Sequence, residues 1–148
     1  MKQRSGIVYG HYPMLSQYRA AHSFALTAHA QLFSRKESDV LCLSGQEQVI
    51  VAEGNGRGVL LHGEIAGVVV FEMDEEDGYA WVSLAYVAAH CRNEGVLRSL
   101  MEELHTHVSK MGDRGIHVGV VAGNLGAIQA YEKLGGKLYS QQFRWEVK

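Results

Sequence analysis

Apolar and polar positions recur along this chain with two different periods, and the change from one to the other separates its parts. Residues 7–9 make a short apolar stretch that predicts a first strand. Over residues 14–33 the side chains Leu15, Tyr18, His22, Ala25, His29 and Leu32 recur at three- and four-residue steps, the spacing of one helix face. Residues 34–43 begin polar and read as a connecting loop. Shorter runs follow at 49–53, 59–61, 65–73 and 79–87, rich in β-branched and aromatic residues, and these predict strands. Between the first two lies Gly54-Asn55-Gly56-Arg57-Gly58, whose Asn-Gly pair tolerates the positive φ angles of a tight hairpin. Residues 65–71 are apolar almost without alternation, as in a strand covered on both faces. Four acids in Asp74-Glu75-Glu76-Asp77-Gly78 read as a solvated hairpin tip in preference to a metal site.

Beyond Gly95 the period returns to that of a helix. Val96, Leu97, Leu100, Met101, Leu104 and Val108 form one face, with Arg98, Glu102, Glu103 and Lys110 opposite. Residues 117–122 form a short buried strand. Asn124 suits the N-cap of a further helix carrying Ala127, Ile128, Tyr131 and Leu134, which Gly135-Gly136 stops. Residues 138–141 and 143–147 can close the chain as a hairpin. The order is therefore helix, antiparallel strands, then strand–helix–strand–helix–strand, a mixed α/β architecture. No repeat, low-complexity stretch or linker interrupts residues 1–148, which read as one folding unit.

Composition narrows the function without naming it. The chain of 148 residues carries a net charge of -2 with neither sign in a long block, which argues against a nucleic-acid partner. Cys42 and Cys91 are too few and too far apart for a disulfide framework. No secretion signal or membrane-spanning run is visible, so a cytoplasmic location is the expectation. No metal is expected: His105 and His107 point different ways on a helix, and His90-Cys91 lacks further ligands at zinc spacing. No Gly-Lys-Ser/Thr triplet supports a nucleotide phosphate loop.

The stretch with chemistry in it is Tyr86-Val87-Ala88-Ala89-His90-Cys91-Arg92-Asn93-Glu94-Gly95-Val96-Leu97. A strand enters a loop, and the loop opens directly into an amphipathic helix. The first N–H groups of a helix have no internal partners and lie at the positive end of its dipole, so such a turn can hold an anion such as a diphosphate. Gly95 would let a ligand approach the backbone. A plain tight turn has the same pattern.

This segment resembles the acetyl-CoA signature of the GCN5-related N-acetyltransferase (GNAT) family, Arg-x-x-Gly-x-Gly/Ala behind a valine-ended strand. Here it reads Arg92-Asn93-Glu94-Gly95-Val96-Leu97 behind Val87. Downstream, Asn124, Ala127, Tyr131 and Gly135 resemble the family's Asn-x-x-Ala-x-x-x-Tyr-x-x-x-Gly pattern. Leu97 departs from the family's final Gly/Ala, and Asn93 from the glycine often found after the arginine. The likeness runs clearly from residue 63 onward. It implies a GNAT-like, mostly antiparallel central sheet of about six to seven strands flanked by helices.

The resemblance further implies direct transfer of an acetyl group from acetyl-CoA to an amine on a small molecule, an amino acid or a protein. An acyl-CoA-binding regulatory module without catalysis is the alternative. Backbone groups of Ala85, Tyr86 and Val87 would bind the pantetheine arm and polarise the thioester, with Asn124 assisting. Residues Arg92 to Leu97 would hold the diphosphate, and Tyr131 would protonate the departing thiolate. No glutamate stands on the 79–87 strand where many relatives carry one; Ser83 lies nearby, and His22, His62, Glu72 and His117 are the further candidates for taking the amine's proton. Relatives often pair through their sheets, so a homodimer is compatible with the resemblance.

Overall fold

A computed structural model gives the architecture and describes residues 6–33, 45–112, 114–120, 124–140, 143 and 145. Its regular elements are β1 (Val8–Tyr12), α1 (Arg19–Phe33), β2 (Gln48–Glu53), β3 (Ile65–Asp74), β4 (Tyr79–Val87), α2 (Val96–Lys110), β5 (Gly115–Val118) and α3 (Leu125–Lys133). Short 3-10 turns at Leu15–Gln17 and Ala89–Cys91 precede α1 and α2. The strands lie side by side in sequence order, with β1 to β4 antiparallel and β5 parallel to β4. A parallel neighbour requires a crossover, and α2 supplies it.

Helices cover both faces of the sheet. On one, α2 lays Val96, Leu100, Met101, Leu104 and Val108 against Ile50, Ala52, Val69, Phe71, Ala80 and Val82. On the other, Leu15, Ala21, Ala25 and Ala28 close over Val49, Val51, Val68, Val70 and Leu84. With both faces covered, residues 65–71 are all buried, which explains their lack of alternation. Gly67 leaves room for its neighbours: a Cβ there would lie 3.0 Å from the Tyr86 carbonyl oxygen of the adjacent strand and 3.1 Å from Leu100 Cδ1 of α2.

The helix expected over 14–33 is broken at Tyr18, which is extended (φ -108°, ψ 94°) between the 3-10 turn and α1. That break sets the Tyr18 ring 4.4 Å from Tyr12 and lets its hydroxyl donate to Glu53 Oε2. The same carboxylate oxygen accepts from the Gly63 amide, so one buried side chain ties α1's start to the loop after β2. Burial, then the Glu53 carboxylate, hold the Tyr18 phenol far above its ordinary range. The buried face of α1 is also rotated from the expected stripe. Ala21, Ala25 and Ala28 are buried, because alanine lets a helix sit close on a sheet, while His22 is half-buried beside them.

Further expectations need correction. Residues 59–61 form no strand; they belong to a long loop over 54–64, where Gly54, Gly56 and Gly58 take positive φ angles that no extended run accommodates. The expected tight Asn-Gly hairpin is absent as well: Gly56 takes a positive φ but Asn55 does not, and no strand follows at 59–61 for β2 to pair with. The strand expected at 117–122 spans Gly115–Val118 instead; Gly119 and Val120 lie beyond it, and 121–122 fall outside the described residues. Residues 138–140 are irregular, and most of the expected closing hairpin also lies outside the described residues. The sheet thus has five strands among the described residues, not the six to seven expected.

Leu100 is fully buried at the meeting of α2 with β3, so Leu100→Ala should lower unfolding stability by about 2–5 kcal/mol, read by urea denaturation.

Candidate functional site

The centre of the site is a defect in β4. Val70 of β3 pairs with Leu84 and Phe71 pairs with Val82, so Ser83 is an extra residue without a partner on β3, a β-bulge. Its hydroxyl turns back to donate to the Val70 carbonyl at 3.3 Å. The bulge inverts the strand. Before it, Ala80 and Val82 face α2; after it, Leu84 joins the α1 core, whereas Ala85 and Val87 pack on the α2 side.

At the same level β4 and β5 part. Their parallel pairing runs from Tyr79↔Gly115 to Val82↔Val118 and stops. A bulge bends its strand and increases the local twist, which accounts for the divergence. Among the described residues the second half of β4 is therefore bonded on one side only. Ala88 N donates to Ala66 O at 2.7 Å on the β3 side, and alternation of the antiparallel ladder turns Val87 and Ala85 the other way, toward the gap that β5 leaves. Between them Tyr86 bonds toward β3 and sends its ring to α1, where its hydroxyl donates to Gln31 Oε1 at 2.9 Å and its ring meets Phe24 edge-on.

Beyond Val87 the chain makes a 3-10 turn and reaches α2 through two left-handed residues, Asn93 (φ 65°) and Gly95 (φ 80°). Asn is among the few side chains that tolerate this conformation. Gly95 is the N-cap of α2 and offers no side-chain acceptor, so among the described residues no cap bond is made to the first-turn amides of Val96, Leu97 and Arg98. A Cβ on Gly95 would meet nothing within 4 Å. The helix thus presents free N–H groups and the positive end of its dipole to open space, a geometry that holds anions.

Neighbouring residues fix this turn from both sides. Arg92 Nε donates to Val87 O at 3.0 Å, and its guanidinium lies 5.2 Å from the centre of the Tyr86 ring. The arginine thereby clamps the end of β4 to the loop and keeps its outer nitrogens at the surface. From beneath, Cys91 Sγ donates to Asn55 O at 3.7 Å, and Gly56 lies close to Cys91 and Glu94. Burial, then the Glu94 carboxylate, push the Cys91 thiol up, so it serves packing and not nucleophilic chemistry. Val96 is buried and Leu97 half-buried, both packed in the core under α2. Leu97, which stands where a smaller residue was expected, therefore turns toward the core.

Two predicted residues come from α3. Asn124 Oδ1 accepts from Ala127 N at 3.1 Å and caps that helix. Tyr131 is half-buried on it, one turn before Leu134, which packs against the same core as Ala85, Val87 and Leu97. Burial raises the Tyr131 phenol above its ordinary value, which keeps it protonated. Ala85, Val87, Arg92, Val96 and Leu97 are therefore brought together directly, whereas α3 joins them through Leu134. Asn93 and Glu94 lie exposed at the rim.

Of the candidates for proton removal, His62 is exposed on the 54–64 loop and His22 is half-buried on α1. Glu72 and His117 are placed differently: each lies on a strand beside Trp81, two residues from the bulge. Sequence reading passed over Trp81. Its signal is the alternation Tyr79, Trp81, Ser83 opposite the buried Ala80 and Val82. Among the described residues no three His, Cys, Asp or Glu side chains gather as metal ligands, and no helix is long and apolar enough to cross a membrane.

Comparison with known proteins agrees with this geometry. A family model described as the acetyltransferase (GNAT) family matches residues 17–136. No curated protein sequence matches the chain. Among solved structures, an aminoglycoside acetyltransferase from an uncultured soil metagenomic sample, in complex with trehalose, superposes with a TM-score of 0.73 at 14% identity, over 99% of both chains. The ribosomal-protein-alanine N-acetyltransferase of Brucella melitensis biovar Abortus 2308 gives a TM-score of 0.68 at 16% identity, over 96% of this chain and 99% of that one. AAC(6')-Iy in complex with the bisubstrate analogue CoA-S-monomethyl-acetylneamine gives 0.66 at 11% identity, over 96% and 98%. At such identities these likenesses speak for the fold. The bulged and forked strand pair, the uncapped α2 turn behind it and the family match over residues 17–136 together make this chain a member of the GNAT acetyltransferase family, an acetyl-transferring enzyme.

Proposed function

We propose that the protein transfers an acetyl group from acetyl-CoA directly to the nitrogen of a primary amine on a small molecule or peptide. The observation that carries this reading is the uncapped α2 N-terminus, opening at Gly95 onto free space directly behind the forked strand pair. A diphosphate is the anion that such a turn suits, and the pantetheine arm then has the edge of β4 that no described strand covers to lie along. The amides of residues 93–97 bind the diphosphate oxygens, and Arg92 adds its outer guanidinium nitrogens. The peptide groups of Ala85 and Val87 hydrogen-bond the arm as an added strand would. Tyr86 sets the orientation of this edge through its hold on Gln31.

The chemistry asks three things of the residues around the fork. A backbone N–H of β4 near the bulge donates to the thioester oxygen as negative charge builds there. The amine nitrogen forms its bond to the acyl carbon while the carbon–sulfur bond breaks, and the nitrogen's proton passes to water on the open face. Tyr131 gives its phenolic proton to the departing sulfur, a role that a phenol kept protonated by burial suits. Asn124 keeps its Oδ1 on the helix cap and has its amide nitrogen to offer the arm. The amine character of the acceptor is supported by AAC(6')-Iy, whose bound analogue joins CoA to an acetylneamine.

Two variants test this reading. Tyr131→Phe should lower turnover by roughly 100-fold, the usual worth of a general acid, with the acetyl-CoA dissociation constant unchanged. Free-thiol release measures the first quantity and isothermal calorimetry the second; unaltered turnover would remove the acid role. Gly95→Val should weaken acetyl-CoA binding about tenfold, or about 1.4 kcal/mol. Thermal unfolding of the same variant separates this loss from the strain of a branched side chain at φ 80°. Equal affinity in both proteins would count against the diphosphate turn.

A further inference from the structure

Arg92 is exposed, yet its guanidinium has a fixed place. Nε donates to Val87 O at 3.0 Å, and the guanidinium carbon lies over the Tyr86 ring, 5.2 Å from its centre. That distance is inside the range at which an aromatic face attracts a cation. One hydrogen bond at Nε leaves the guanidinium plane free to swing about it. A ring lying against the group removes that freedom, so the remaining N–H donors keep one direction.

The ring is itself held. Tyr86 is half-buried and packs on the apolar layer under α1, with Val68 opposite it on β3. Its hydroxyl donates to Gln31 Oε1 at 2.9 Å, and Phe24 meets it at 5.9 Å with 65° between the planes. Two side chains of α1 therefore set the angle of a ring that in turn sets the angle of an arginine at the entry to α2. The carboxylate of the turn is directed elsewhere: Glu94 Oε2 faces the 54–64 loop, 3.4 Å from where a Cβ on Gly56 would stand. Among the described residues the Arg92 charge thus meets a π face and no carboxylate. The difference matters for an anion site. A carboxylate would neutralise the arginine and have to be displaced, whereas a ring holds it and leaves its charge for the ligand.

We infer that the Tyr86 side chain is a positioning residue of the diphosphate site. Its ring holds Arg92 at the angle where the terminal guanidinium nitrogens meet the diphosphate, and Gln31 holds the ring. This rests on the transferase reading above, and adds a route by which α1 bears on acetyl-CoA affinity. Tyr86 acts here through Arg92 and takes no part in the bond changes.

A double-mutant cycle tests it. Acetyl-CoA binding is followed by calorimetry in the wild type, Tyr86→Leu, Arg92→Ala and the double variant, with thermal unfolding of each to establish that it is folded. Tyr86→Leu should raise the dissociation constant about fivefold, through the lost ring contact and the cost of ordering a loose arginine. In the Arg92→Ala background the same change should matter by less than about twofold, since no guanidinium is left to hold. Tyr86→Phe, which keeps the aromatic face, should restore most of the affinity, and Gln31→Leu should fall between it and Tyr86→Leu. Arg92→Lys probes the same point with Tyr86 intact, whether or not Tyr86→Leu folds. It keeps the charge without the planar fork, and should lose most of what Arg92→Ala loses. With acetyl-CoA bound normally by the wild type, this inference alone is overturned by additive losses, by Tyr86→Phe binding as weakly as Tyr86→Leu, or by full affinity in Arg92→Lys. A wild type that does not bind acetyl-CoA would overturn the transferase reading and this one with it.

Discussion

Ser83 sits in a strand that has one residue more than its neighbour, and the geometry of the site follows from that mismatch. A regular β4 would keep one set of side chains on one face throughout and would continue its pairing with β5. The extra residue exchanges the faces, so Val82 packs under α2 and Leu84 under α1, and the parallel ladder stops at Val82↔Val118. Among the described residues this leaves a short run of backbone groups on β4 without a neighbouring strand, a cost a protein interior rarely tolerates. In an acetyltransferase those same groups are what a peptide-like arm can bind. The local flaw in the ladder and the place proposed for the arm are one feature.

Around the flaw, the protein holds its parts with few contacts of high value. Arg92 reaches back across the turn to Val87, while its charge lies over the Tyr86 ring. Glu53 joins the start of α1 to the 54–64 loop, and Gly56 in that loop lies against Cys91 and Glu94. The turn that leads into α2 is therefore held on the strand side by an arginine and on the outer side by a loop. Its amides keep their direction because the backbone around them is fixed, which is the condition for binding an anion without reorganisation.

Much of this was legible in the sequence, and the boundary of legibility has physical causes. Strong periodicity gave β4 and α2 their limits, because α2's stripe Val96, Leu100, Met101, Leu104 and Val108 and the apolar run of β3 admit few other arrangements. Asn124 announced its helix because its cap is a local hydrogen bond. The break at Tyr18 was not legible, since it depends on Glu53, thirty-five residues away. Nor was the bulge: it is a relation between two strands, and nothing in Trp81-Val82-Ser83-Leu84 alone says where the register slips. The 54–64 loop misled because Gly54, Asn55, Gly56 and Gly58 look, residue by residue, like a hairpin. At the site, the motif residues Arg92 and Gly95 were legible; the meeting of Trp81 and His117 required the strand pairing to reveal it.

The extra residue of β4 also bears on how this gene can drift. Removing Ser83 would restore an unbroken alternation and leave Leu84, Ala85, Tyr86 and Val87 on the faces they now occupy. What such a deletion takes away is the bend at the bulge, and with it the cause of the divergence from β5 beyond Val82↔Val118. A strand one residue shorter would thus be silent in both cores and felt only at the fork.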